Sequence, residues 1–455
     1  MSAIFLLPGL LSLYLVIRGR IETAFLSVYL PALLLLPDGY ALRLPHLPPI
    51  SAAQSALIPI GAVALYRLAR RGLPSPMDIL VGLFVASITA SEVLRERVMN
   101  DGILAAIIAF ISIFLAYAAG RAIIEPGLRF VTVRRFVVLV LLLGPIGLYE
   151  WRLGQNLYGV IGQRIFNLAS VQATVQFRSG RGRMSASFND AELAGIVFGM
   201  TAALNAWLVY LRKWHSTVNL GKTLEWLEKY HVPGLLLLFY IFLTQSRGPM
   251  LAVAVGYLIL QIPRFKNKKI ASVMVAILIA VAAVAAYRYF SQYTNITDPG
   301  AVLNEQQGSA LYRRQMNELY QPIVQQGGWL GWGMLSHPIL PGMFSIDNEF
   351  LLIHLAYGSF GYIIFVLVAA ETFRRLIARS WRLEAPEDQA FAVVLLGAMA
   401  VFWISISTVY MGEQLPQILF LLIGWSQSVS PVSIGLAAAP VDAAPPRFAF
   451  RRIFR

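Results

Sequence analysis

VPGLLLLFYIFLTQSRGPMLAVAVGYLILQIPRFKNKK, residues 232–269, carries the pattern on which the whole chain is built. Two apolar runs flank a polar break, Thr244-Gln-Ser246-Arg247-Gly248-Pro249, and the second run ends in Arg264, Lys266, Lys268 and Lys269. Runs like these, often about 15 to 25 residues long, recur along the sequence, and that is the length a helix needs to cross some 30 Å of hydrocarbon. The chain is 58% hydrophobic and 13% charged, outside the range of soluble domains, which are about half apolar and a quarter charged. A transmembrane barrel would show alternating segments of about ten residues, and none is present. The expected fold is therefore all-α: an integral membrane protein, a polytopic bundle of about 12–14 transmembrane helices.

Candidate spans lie near 3–17, 21–36, 53–66, 76–91, 102–120, 136–150, 190–211, 232–245, 247–262, 270–287, 349–373, 389–409 and 413–428. With the N-terminus outside, about two thirds of the 37 Lys and Arg fall in inside loops, among them Arg129, Arg134 and Arg135 after the fifth span and Arg374 and Arg375 after the eleventh. The formal charge of +14 is thus a topological signal and not a nucleic-acid footprint: the expected partner is membrane lipid, with no nucleic acid. The outside loops hold a few exceptions. Arg152, Arg164, Arg178, Arg181 and Arg183 precede the seventh span, and Arg313 and Arg314 lie in the long loop before the eleventh. With no cysteine and five scattered histidines, no disulfide, thiolate nucleophile or metal centre is expected. The first span lacks a basic flank and a small-residue cleavage site and reads as a retained helix. The Ala/Pro-rich tail from Ser430 reads as a disordered cytoplasmic extension.

Ionisable residues deep in the spans are scarce, which argues against a transporter, since transporters carry intramembrane carboxylates or matched broken helices. The polar groups gather at the external surface instead, in four segments. In the first, Arg178 to Arg183 lead into Phe188-Asn189-Asp190-Ala-Glu192, where Asn189 or Asp190 can cap the seventh span and Glu192 suits its positive end. In the second, Ser246 is a candidate N-cap, and the helix start with its free N–H groups and the Arg247 guanidinium make a ready anion site. The third sets Arg313-Arg314 before Gly327-Gly-Trp329-Leu-Gly331-Trp332-Gly333, which alone reads as an interfacial turn anchored by its indoles. The fourth is Asp347-Asn348-Glu349. Asp347 shares a helical stripe with His354, Gly358 and Gly361, so Asp347 and His354 are expected in one crevice and the glycines against a neighbouring helix.

From about 180 to 365 these residues resemble the O-antigen ligase/polymerase family of integral membrane glycosyltransferases. Arg183 to Phe188 followed by Asn-Asp-Ala-Glu looks like the family's first element, and Ser246-Arg247-Gly248 like its second. Arg313 ahead of Gly331-Trp-Gly333, and Asn348 nine residues before Gly358-Ser-Phe-Gly361, look like the third and fourth. The family's ligase histidine is Asp347 here, which is similar to the exopolysaccharide polymerase branch. The resemblance implies a GT-C-like bundle with a large periplasmic loop in the bacterial inner membrane. It implies N-terminal helices over 1–150, a periplasmic loop over 151–189, a catalytic region over 190–428 that includes the periplasmic loop 288–348, and a tail over 429–455.

The implied activity is polymerisation, at the periplasmic face and without cofactor, of undecaprenyl-diphosphate-linked oligosaccharide repeats, with a separate chain-length regulator as a possible partner. Ligation of polysaccharide to lipid A core and membrane transport are the alternatives. In the roles so implied, Arg183, Arg247, Arg313 and Arg314 hold the diphosphate. Asp347 is the base for the acceptor hydroxyl, with Glu192 in reserve, and Asn348, His354, Ser246 and Asn189 support them.

Overall fold

The computed structural model describes residues 2–44, 47–95, 99–168, 171–178, 180–211, 231–295, 304–343, 345–382 and 385–428. The basic loop over 212–230 and the tail from 429 lie outside the described residues. The chain is helical almost throughout: α1 (Leu7–Ile17), α2 (Ile21–Leu35), α3 (Ala52–Ala69), α4 (Pro76–Arg95), α5 (Asn100–Ile123), α6 (Arg129–Leu153), α7 (Leu157–Phe166) and α8 (Ala191–Tyr210) come first. They are followed by α9 (Val232–Leu243), α10 (Arg247–Ile259), α11 (Lys268–Tyr293), α12 (Glu305–Gly327), α13 (Glu349–Arg382), α14 (Pro386–Ile406) and α15 (Leu415–Ser428). Two small antiparallel ribbons, β1 (Ala41–Leu42) with β2 (Ile50–Ser51) and β3 (Phe177–Arg178) with β4 (Arg181–Gly182), are the only strands among the described residues.

A helix stands at each of the candidate spans. Eight among the described residues are long and apolar enough to cross a membrane, so the chain is an all-α polytopic membrane protein. Several spans run further than expected, α11 to Tyr293 among them. α6 begins at Arg129 and α13 continues to Arg382, so basic residues expected in loops stand on helical extensions at the end of the bundle expected to face inward, the inner end, opposite the end expected to face outward, the outer end. Long Lys and Arg side chains can keep their charge in the headgroup layer from such positions. α8 and α14 form the centre, buried along most of their length, with α10, α13 and α6 packed around them. α9 and α10, of 12 and 13 residues, are each too short for a full crossing, and a turn at Thr244–Ser246 joins them.

The outer end departs most from a simple bundle. Within the long loop before α13, α12 is a polar helix whose Met316, Tyr320 and Val324, spaced four apart, pack with Met343 and Leu355 into a separate small core. α13 is broken at Gly358 (φ 66°, ψ −171°). The segment Gly328–Gly333 lies in the break and supplies the lost backbone partners. Trp332 N and Gly333 N donate to Leu355 O (3.0 Å) and Ala356 O (2.9 Å), and Ser359 N and Phe360 N donate to Gly328 O (3.0 Å) and Trp329 O (3.2 Å). Within a membrane protein an interrupted helix must find such substitutes.

A Cβ on Gly331 or Gly358 would lie 2.4 Å from the opposite backbone, and both have positive φ, so neither tolerates a side chain. The helical stripe expected through Asp347, His354, Gly358 and Gly361 is therefore interrupted. A backbone segment, not a neighbouring helix, approaches Gly358, while Gly361 meets Ser87 of α4. The Gly/Trp run is more than an interfacial turn, since it completes the broken helix.

Candidate functional site

A cavity of about 590 Å³ opens at the outer end of the bundle. Its walls come from the β3–β4 ribbon, the first turn of α8, α12, the segment before α13 and the loop between α14 and α15. They bring together Arg178, Arg183, Asp190, Glu192, Arg313, Asp347 and Tyr410. Four of the residues expected to do chemistry, Arg183, Glu192, Arg313 and Asp347, thus share one space although they come from three separate segments of the sequence.

Arg183 is buried and mostly committed. Its Nε donates to Thr244 O (3.0 Å), Nη1 to Gln176 Oε1 (2.7 Å), and Nη2 to Ser246 Oγ (2.8 Å) and Glu192 Oε1 (3.4 Å). Arg178 Nη1 donates to Gln245 O at 2.7 Å. Two arginines of the loop before α8 therefore hold the turn between α9 and α10, whose Gln245 has a left-handed φ of 51°. Ser246 stands at the N-cap position of α10 but makes no capping bond, because its hydroxyl serves Arg183. Asp190 stands at the N-cap of α8 and does not cap either: Oδ1 accepts from Gln176 (2.7 Å) and Oδ2 from Tyr410 OH (2.5 Å). Asn189 donates to Glu413. In each case a tertiary partner has taken the side chain that local pattern assigns to the helix end.

Arg313 is the least committed guanidinium of the cavity. Its Nη2 lies 3.9 Å from Glu192 Oε1 and 3.9 Å from Asp347 Oδ2, beyond hydrogen-bond reach of either. Its Nε is buried with no partner among the described residues. Asp347 is oriented by Ser345, whose Oγ donates to Oδ1 at 2.7 Å, leaving Oδ2 toward Arg313. The arrangement sets a carboxylate beside a guanidinium with donors to spare. That suits taking a proton from a hydroxyl while an anionic group is held alongside.

The other expected residues stand outside the lining. Arg314, one residue on and so about 100° round α12, pairs with Glu318 (2.8 Å) and reaches Thr294 Oγ1 (3.4 Å). Asn348 caps α13, accepting from Phe350 N (3.1 Å) and Leu351 N (3.3 Å). His354 stacks on Tyr362 at 4.6 Å and meets Ser359 Oγ at 3.2 Å, apart from Asp347. Arg247 is exposed at the first residue of α10, next to Ser246, and Gly248 is pressed against Thr408.

Behind the cavity lies a group that the sequence reading missed. Glu413, in the loop after α14 with a left-handed φ of 59°, accepts from Asn189, while its Oε2 is buried without a partner among the described residues. Burial first, then the Asp38 carboxylate, push its pKa up to about 7, against the Asn189 hydrogen bond. Burial raises Asp38 as well, and burial together with Asp190 raises the Tyr410 phenol. The polar run Tyr410-Met-Gly-Glu413-Gln414 between two apolar spans was the available signal.

Residues 232–366 match the family model described as O-Antigen ligase. The match takes in the Ser246-Arg247-Gly248 turn, Arg313, Asp347 and the broken part of α13, whereas Arg183, Glu192 and Glu413 lie beyond it. No curated protein matches the chain. Residues 232–366 are thus similar to an O-antigen ligase-like domain, a likeness that supports kinship with the O-antigen ligase/polymerase family, whose members are enzymes acting on lipid-linked sugars.

Proposed function

We propose that the protein polymerises polyprenyl-diphosphate-linked oligosaccharide repeat units at the periplasmic face of the bacterial inner membrane, undecaprenyl diphosphate being the carrier. The observation that carries this reading is the pairing of Asp347 with the under-committed Arg313 across one cavity. The acceptor hydroxyl oxygen attacks the anomeric carbon of the donor, and its proton passes to Asp347 Oδ2. The bond from that carbon to the diphosphate oxygen breaks, and the polyprenyl diphosphate leaves with the electron pair. Attack from the face opposite the diphosphate inverts the anomeric centre. Arg313 holds the diphosphate and Arg183 keeps the turn beneath it in place, with Arg247 a further anion contact at the helix start. Glu192, 3.4 Å from Arg183 and 3.9 Å from Arg313, adds a negative charge beside both guanidinium groups.

The second reading is ligation to lipid A core, which the family description favours and the aspartate at position 347 does not. Purified protein, supplied in detergent with a polyprenyl-diphosphate-linked repeat and a chelator, separates the two. A ladder of lengthening lipid-linked chains, lost in Asp347→Ala, is expected. Transfer only after lipid A core is added would make the protein a ligase, and no product with either acceptor would overturn the enzyme reading.

A further inference from the structure

Helix α11 is attached to the bundle over one half and stands away from it over the other. At its inner end Ala271 is buried and Val275 and Ile279 rest against the main core, a stripe spaced four residues apart. Trp381 Nε1 donates to Ser272 Oγ (3.1 Å), and Lys268 reaches Gln389. From Ala280 to Tyr289, however, every residue is exposed, whichever side of the helix it is on. Ala282 and Ala286 continue the same stripe at 100° per residue, so the face that should meet the bundle is exposed and meets none of the described residues. Contact returns at Thr294, which is buried and receives a hydrogen bond from Arg314 of α12 at 3.4 Å.

The helix is thus fastened at both ends with an opening beside its outer half, about 15 Å tall for ten residues. Tyr287, Arg288 and Tyr289 set that half at headgroup level and just beneath, in the outer leaflet. The inward side chains there are alanines, which leave room for a thin chain. α13, whose inner end holds Trp381 against Ser272, exposes apolar Phe360, Ile363 and Leu367 along its middle. The opening ends under α12, where Arg314 ties down α11 and the adjacent Arg313 faces the cavity.

The geometry points to this opening as the lateral access route and tail-binding groove for the polyprenyl chain of the donor, with its diphosphate on Arg313 and its hydrocarbon descending between α11 and the bundle. The inference rests on the reading of the substrate as a lipid diphosphate and adds where its tail lies. A phospholipid would share the chemistry of a phosphate on hydrocarbon, and the experiment distinguishes the two.

The test is photolabelling of the full chain in nanodiscs with a polyprenyl diphosphate carrying a diazirine in its chain, with adducts mapped by mass spectrometry. Adducts are expected on Val281–Tyr287 and on the exposed face of α13. Excess unlabelled polyprenyl diphosphate should reduce them about tenfold, and phosphatidylglycerol should not. Adducts that phosphatidylglycerol displaces equally, or adducts gathered instead in the apolar groove of Leu7, Leu11, Val28 and Leu35, would overturn the proposal. Ala286→Trp, which fills the opening, should cut labelling about tenfold and slow use of a long-chain donor, while sparing a donor with a short prenyl chain. Equal use of both donors by that variant would also refute the route. Labelling needs no turnover, so a failed polymerisation assay removes the proposed reaction without deciding the groove, and the reverse holds as well.

Discussion

At the inner end of the bundle, Arg129 gives Nη1 to Asp388 (2.8 Å) and Nη2 to the carbonyl of Ser428 (2.9 Å), closing the last turn of α15. Arg375 and Arg379 reach the same turn through Gln427 and the Ser426 carbonyl. At the outer end, Arg313 has its nearest carboxylates at 3.9 Å and a cavity in front of it. The Nε of Arg129 and that of Arg313 are alike buried and without a partner among the described residues, so an orphaned nitrogen does not separate the two ends. What separates them is whether the terminal nitrogens are used. Inner arginines spend theirs on the Asp388 carboxylate and on the Gln427 side chain and carbonyls at the end of α15, where a cation also suits the helix dipole, and so they fasten the bundle. The outer one leaves its own facing the cavity, where the proposed diphosphate would sit.

The largest effect that would sharpen this contrast is at the outer end. Asp347→Asn keeps the size and the Ser345 contact but cannot take a proton, so turnover should fall by about 10²–10⁴-fold with the melting temperature unchanged. Near-normal turnover would remove Asp347 from the chemistry. Arg129→Ala should do the opposite, lowering stability by about 1–3 kcal/mol in thermal unfolding while turnover per folded molecule is kept. A catalytic loss at full stability would break the division between the two ends.

The smallest effect concerns Glu413. Its folded pKa, raised to about 7 from 4.5, means that the folded state binds the proton more tightly than the unfolded state. Stability from this group is therefore greatest below pH 4.5 and is lost as pH rises toward about 7, by about 1–3 kcal/mol. Glu413→Gln should flatten the melting temperature across that window, and an unchanged slope would place the titration elsewhere.

The spans were legible in the sequence because hydrocarbon thickness imposes a length that few other structures need, and a helix stands at each of them. α12 was not, because a polar surface helix carries no such mark and its apolar stripe of Met316, Tyr320 and Val324 is narrow. Arg183, Glu192, Arg313 and Asp347 could be named from their segments, but their shared cavity depends on long-range packing. Local capping rules misassigned Ser246 and Asp190 because Arg183, Gln176 and Tyr410 compete for those side chains, and none of these competitors is adjacent in sequence. The same limit hid the break at Gly358, which is possible only because Gly328–Gly333 supplies the missing partners.

The central claim is that the under-committed guanidinium at the outer end holds the lipid diphosphate. Its most direct test is the affinity of the purified protein for polyprenyl diphosphate, compared among the unaltered chain, Arg313→Ala and Arg129→Ala. Removing a charge-assisted contact should weaken binding about tenfold or more in Arg313→Ala and leave it unchanged in Arg129→Ala. Equal affinities in all three, or a loss confined to Arg129→Ala, would contradict the account.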